Sequence, residues 1–173
     1  MNTLFRQTTF RFGLLSGAVS TAMMFVTLPF IDPAKLATAD LLGYTAMLLS
    51  ALLVFFGVRS FRERAGSLTF GRALFVGLAI TLVATVCYAA AFELMYFKLV
   101  PDFGDRFAAC MVEHARAGGS SAEEVGQVAA QAQRLKDLYD HPVTNAALTF
   151  GTSCPIGLIA SLLSAAILRT RTS

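Results

Sequence analysis

The chain has 173 residues, of which 55% are apolar and only 14% charged, and its mean hydropathy is +0.63. Soluble domains are roughly a quarter charged, so the composition excludes an ordinary water-soluble domain and points to one membrane domain over residues 1–173. A formal charge of +3 in a soluble protein would hint at nucleic acid; here topology accounts for it, and no nucleic-acid partner is expected.

The apolar residues fall in blocks, and blocks near the length of a bilayer crossing indicate spanning helices. The first, residues 12–31, lies between Arg11 and Asp32-Pro33; about twenty residues at ~1.5 Å rise match the hydrocarbon thickness. A competing reading makes Met1 to Ala39 a secretory signal, since Arg6 and Arg11 precede an apolar core and Ala37-Thr38-Ala39 has the small-x-small form of a cleavage site. A signal core is about 7 to 15 residues, shorter than this one, and its removal leaves an odd number of crossings. The second block, residues 41–58, starts at Asp40, read as a helix cap, and closes at Arg59. The third, residues 73–95, follows Arg72 and ends near Glu93 and Met95-Tyr96-Phe97. The fourth, residues 145–168, ends at Arg169 and contains Pro155, which removes a backbone donor and is expected to kink the helix, as neighbouring helices tolerate in lipid. No block has a charge near its middle, where one costs about 2.5 to 3.5 kcal/mol.

Positively charged short loops stay in the cytoplasm. Arg6, Arg11, Arg59, Arg62, Arg64, Arg72, Arg169 and Arg171 fall on one side, with Glu63 the single acid among them. On the other side Lys35, Lys98, Arg106, Arg116, Arg134 and Lys136 are outnumbered by Asp32, Asp40, Asp102, Asp105, Glu113, Glu123, Glu124, Asp137 and Asp140. The expectation is an inner-membrane protein with both termini cytoplasmic.

Between crossings three and four the pattern becomes amphipathic. Phe103, Phe107, Cys110, Met111 and His114 recur at helical spacing, and Gly118-Gly119 supplies a stop. Ser121-Ala122-Glu123-Glu124 has the capping-box arrangement, followed by the stripe Val125, Val128, Ala132, Leu135 and Leu138 up to Asp140-His141-Pro142. The fold class expected is all-α: an integral membrane four-helix bundle with an extracytoplasmic two-helix hairpin over residues 102–140, capping the bundle.

The hairpins of crossings also echo each other. Phe12-Gly13 and Phe70-Gly71 open them, and LLSALLVFFGVR (48–59) and LIASLLSAAILR (158–169) close them. Duplication would relate them by an axis along the membrane normal; apolar helices ending in arginine also look alike by chance, and the sequence leaves both readings open.

AGSLTFGRALFVGL (65–78), with its glycine, small residue and Phe-Gly-x-Ala, resembles the start of the third helix in the bacterial membrane proteins grouped as domain of unknown function 4199. YFKLVPDF (96–103) is similar to that family's aromatic, Ile-Asp-Pro-x-Phe exit, with Val100-Pro101-Asp102 in place of the Asp-Pro order, and Gly119 to Glu124 resembles its Gly-Ser-Ser-x-Glu-Glu helix start. The resemblance covers essentially the whole chain. It implies four membrane helices with a two-helix outer segment, and no activity.

Few residues suggest chemistry. Intramembrane carboxylates often mark ion or proton paths, but Glu93 stands near the outer headgroups, where water is in reach. It continues the line Gly77, Thr81, Thr85, Ala89, a small-residue ridge suited to face another helix. Cys110 and His114 share a helix face, yet two ligands do not make a metal site. Cys87, Cys110 and Cys154 give neither a disulfide framework nor a zinc spacing. Gly13-x-x-x-Gly17 and Gly157, Ser161, Ala165 are small-residue ladders that let backbones approach, read first as internal packing, with a homo-oligomer as the other outcome. Methionines 23, 24, 47, 95 and 111 read as adaptable packing. The inner arginines suit anionic lipid heads as well as topology. No serine-histidine nucleophile motif and no phosphate-binding loop occurs. No catalytic, cofactor-binding or metal residue is therefore assigned. The expected function is a non-enzymatic scaffold that meets the lipid bilayer and a protein partner through its outer hairpin; the alternative is a small transporter or channel subunit using Glu93.

Overall fold

The computed structural model describes residues 2–28 and 36–169. Their regular structure is helical throughout: α1 (Asn2–Thr27), α2 (Leu36–Ala65), α3 (Phe70–Leu94) continued by a π-helical turn (Met95–Leu99), α4 (Phe103–Ala117), α5 (Ala122–Tyr139) and α6 (Pro142–Leu168). Four stretches, Thr3–Thr27, Leu41–Ala65, Phe70–Leu99 and Pro142–Leu168, are long and apolar enough to cross a membrane. Asp32, Lys35, Arg171 and the last residues of the first apolar block lie outside the described residues.

The helices outrun the apolar blocks because charged turns keep helical geometry. α1 begins ten residues before the block at position 12. α2 runs past Arg59 to Ala65, supported by the Arg59 Nε–Glu63 Oε1 pair at 2.9 Å across one turn. Asp40 is not the cap of α2, since that helix starts at Leu36 and Asp40 falls in its second turn. α6 starts at Pro142 in the first helical position, where its fixed φ and missing donor suit a helix start, and it continues through Pro155.

α1 packs on α2 and α3, and α6 packs on α3 and α2, giving the cyclic order α1, α2, α6, α3. One end is densely filled by Val54, Val58, Phe61, Leu68, Val76, Ile80, Ala165 and Leu168, with Leu4 and Phe5 against them. That end carries the start of α1, the end of α2, the start of α3 and the end of α6, and so Arg6, Arg11, Arg59, Arg62, Arg64, Arg72 and Arg169; we call it the basic end. Outward, the bundle is greasy: Leu82 is 59% exposed, Leu163 58% and Ile167 65%. Apolar surface of that extent is untenable in water and natural against lipid.

Glycines set how closely the helices approach. A side-chain carbon at Gly13 would come within 2.6 Å of Val83 Cβ, and at Gly17 within 2.7 Å of Cys87 Cβ, so α1 lies directly on α3. Gly77 faces Ser161, and Gly157 faces Thr81, along the antiparallel α3–α6 seam. The small-residue ladders thus pack inside the chain. Gly71, the counterpart of Gly13 in the sequence echo, has no described neighbour within 4 Å of such a carbon; among the described residues the echo is not repeated in packing there.

At the other end α4 and α5 form the expected hairpin. Gly118 caps α4, and Gly119 turns the chain at φ +79. Ser121 Oγ accepts from Glu124 N, and Glu124 Oε2 accepts from Ser121 N at 2.7 Å, which completes the capping box and lowers the Glu124 carboxyl below the usual range. Asp102, by contrast, makes no side-chain cap at the start of α4. Cys110 and Ala132 are buried where α4 and α5 meet, so the middles of the two apolar stripes face each other.

Candidate functional site

The dense packing stops about halfway along the bundle. Toward the hairpin end a cavity of about 390 Å³ opens between all four long helices. α1 lines it with Ser20, Met23 and Met24, α2 with Gly43, Met47 and Ser50, α3 with Thr81, Thr85 and Tyr88, and α6 with Thr152 and Ser153. Phe92 and Met95, with Phe103 and Phe107 of α4, complete the wall on the hairpin side. The volume falls in the range of small-molecule sites, about 300 to 1,000 Å³. Pro155 lies within α6 between lining residues Ser153 and Ile156 but is itself exposed and off the wall.

Among the described residues the wall is apolar apart from hydroxyls, with no Asp, Glu, Lys, Arg or His belonging to it. Some hydroxyls are engaged: Ser50 pairs with Ser16 at 2.8 Å, Thr81 donates to the Gly157 carbonyl at 3.4 Å, and Thr152 donates to Leu148 at 3.1 Å. Ser20, Thr85, Tyr88 and Ser153 make no hydrogen bond to another described residue. Four thioethers, from Met23, Met24, Met47 and Met95, add flexible, polarizable surface that adapts to an occupant's shape. A largely apolar hollow walled by adaptable side chains suits an apolar occupant.

A family pattern described as protein of unknown function (DUF4199) matches residues 11–170, nearly the whole chain. The chain belongs to the DUF4199 family. No curated protein and no solved structure matches it.

In this DUF4199 chain Glu93 stands in the last turn of α3, outside the cavity wall. Its Oε1 is buried with no hydrogen-bond partner among the described residues. The α3–α6 register fixed by Gly77 with Ser161 and Thr81 with Gly157 puts Glu93 at the level of Asn145, which is 0% exposed. Asn145 Nδ2 donates to the Tyr139 carbonyl at 3.0 Å, leaving Oδ1 also buried and unpartnered. Two acceptors without a donor are unfavourable by about 1 to 3 kcal/mol each. Glu93→Gln, which brings a donor to this level, is therefore expected to stabilise the protein by about 1 kcal/mol, read as a higher Tm in detergent; a lower Tm would show that the carboxyl itself is needed.

The hairpin is held over the cavity by one polar latch and an aromatic cluster. Tyr96 donates its hydroxyl to Asp140 Oδ1 at 2.7 Å, and Lys136 Nζ reaches Asp105 at 3.2 Å and Asp140 at 3.4 Å. Gly104 makes room for the Tyr96 hydroxyl, which would stand 2.5 Å from a side-chain carbon there. Phe92 meets Phe103 and Tyr139 edge to face, and Phe103 stacks on Phe107 at 6.0 Å. The Tyr96 hydrogen bond and the Lys136 charge hold the Asp140 carboxyl below its usual range, and Asp105 and Asp140 push Lys136 up. The latch is thus complete above the ordinary carboxylate range, near pH 4, and weakens as pH falls through the lowered Asp140 value; it also weakens in strong alkali, as Lys136 deprotonates. Tyr96→Phe is expected to speed hydrogen exchange in α4 and α5 about fivefold at neutral pH, for about 1 kcal/mol, with no change at the basic end.

Cys110 is buried on α4 while His114 is exposed, and no three metal-ligating side chains lie close together among the described residues. Thr81 and Thr85, read as part of a ridge facing a helix, are buried as expected and also line the cavity.

Proposed function

We propose that this DUF4199 protein is a non-enzymatic binding protein of the bacterial inner membrane, which holds a neutral amphipathic molecule in the cavity between its helices. The cavity carries the reading. Its size, its wall, uncharged among the described residues, and its four disengaged hydroxyls suit an apolar body bearing one or two neutral hydrogen-bonding groups. The positive-inside bias supports cytoplasmic termini and an extracytoplasmic hairpin, since seven described arginines share the basic end with one acid, Glu63. The hairpin then roofs the cavity from outside through Phe103 and Phe107.

A scaffold working through an apolar hairpin surface gains less support, because Leu138 is the one large apolar side chain of α4 or α5 left exposed, at 45%. Transport through Glu93 also gains less, because that carboxyl lies off the cavity wall.

Titration of the purified protein with the neutral dye Nile red, against an anionic naphthalene sulfonate dye, tests this reading. Saturable one-to-one binding of the neutral dye is expected, with the anionic dye much weaker. Absence of saturable binding, or equal binding of both dyes, would contradict it.

A further inference from the structure

At the basic end a second hollow, of about 440 Å³, lies between the end of α2 and the end of α6, lined by Phe55, Arg59, Arg62, Glu63, Gly66 and Leu168. Its composition is graded. Phe55 and Leu168 belong to the apolar side, packed on or within the core cluster, whereas Arg59 and Arg62 supply two guanidinium groups one turn further along α2.

The charges do not cancel. Glu63 is engaged by Arg59 through a 2.9 Å pair on the exposed face of α2. Arg62 is half-buried, and its guanidinium has no acidic partner among the described residues. A guanidinium partly withdrawn from water is stabilised by an anion that accepts its planar fork, and phosphate geometry fits that fork bidentately. Arg169, the exposed residue after Leu168, adds another positive charge at this end of the bundle. The last turn of α2 ends at Gly66, whose φ of +76 turns the chain away.

We infer that this hollow binds one anionic phospholipid, its phosphate on Arg62 with Arg59 beside it and the top of an acyl chain against Phe55. A cationic rim over an apolar wall, at the level where a spanning helix leaves the hydrocarbon, is complementary to a lipid with a charged head and a greasy tail. A soluble phosphate compound would use the rim alone. The inference does not depend on the cavity at the other end. The arginines' topological role is served equally by Arg64, which lies outside the hollow and is exposed, so the two roles separate by position.

The test is native mass spectrometry of the full chain from detergent, with dioleoylphosphatidylglycerol or dioleoylphosphatidylcholine added, repeated with inorganic phosphate as competitor. The expected result is one phosphatidylglycerol retained under conditions that strip phosphatidylcholine, undisturbed by phosphate. Arg62→Gln should weaken phosphatidylglycerol binding about tenfold, the size of one charge-assisted hydrogen bond, while Arg64→Gln leaves it unchanged. Phe55→Ala, which keeps every charge, should weaken it as well, and each variant's Tm in phosphatidylcholine nanodiscs should confirm that it is folded. Equal retention of the two lipids, equal losses for Arg62→Gln and Arg64→Gln in folded protein, or full displacement by inorganic phosphate would overturn the assignment.

Discussion

Gly157→Leu is expected to separate α6 from α3 and abolish a stable, monodisperse protein in detergent. At Gly157 any side chain runs into Thr81, whose Cβ would stand 3.0 Å from the first added carbon, and Gly77 meets Ser161 four residues along the same seam. Neither helix has slack there, because Thr81 and Ser161 are both buried, at 7% and 0% exposure. Overpacking of a tight contact costs about 1 to 3 kcal/mol. Here the penalty is larger, since the helices must part along their length and take the close contact of Gly77 with them; a loss of about 3 kcal/mol or more is the expected result. Gly71→Leu is the control. It also places leucine on a helical glycine of an apolar segment, but into open space, so a change within about 0.5 kcal/mol is expected. Equal thermal destabilisation by the two substitutions would mean that the α3–α6 seam is not the close contact described.

The second large effect is on binding, through Gly43→Phe. Gly43 lines the cavity from α2, and an added side-chain carbon there meets no atom within 4 Å. The first added carbon is clear of the described atoms, so a larger side chain starts into open space, and replacing a helical glycine restores part of the about 1 kcal/mol that glycine loses relative to alanine. Nile red binding should fall at least tenfold while Tm stays level or rises. This pattern separates occupation of the cavity from general damage, which would lower both. Unchanged dye binding in folded Gly43→Phe protein would place the dye elsewhere.

The four membrane-capable segments were legible because spanning lipid demands about twenty apolar residues in a row, a pattern that needs no knowledge of neighbours. Ser121 and Glu124 marked the start of α5 for a similar reason: the capping box is built from residues three apart. Helix ends were less legible. Arg59 to Ala65 reads as a loop by polarity, yet Arg59 and Glu63 support one another across a turn, and Asp40 looks like a cap only until Leu36 is seen to start the helix. The cavity was the least legible feature. Periodicity assigns Thr81 and Thr85 to one face, and both are buried, but whether a buried face meets another helix or a hollow depends on what the opposite helices present. At the level of Gly77 and Gly157 they present each other's small residues and close up; toward the hairpin they present hydroxyls and methionines and stay apart. Met23, Met24, Met47 and Met95, read in the sequence as packing, share one wall because α1, α2 and the π-helical turn after α3 bring them together, a convergence that no spacing within one helix encodes. The matching Phe-Gly pairs at Gly13 and Gly71 mislead in the opposite direction: alike in sequence, one is locked against α3 and the other faces open space.

The claim on which this account rests is that the space between the helices takes up a neutral amphipathic molecule. Solvent extraction of the protein purified from its native membrane, followed by mass spectrometry, addresses it directly, with Gly43→Phe protein carried through in parallel. The account predicts a reproducible neutral species, near one per chain, that is depleted in the variant. Recovery of bulk phospholipids in the same proportions from both proteins, with no such species, would contradict it.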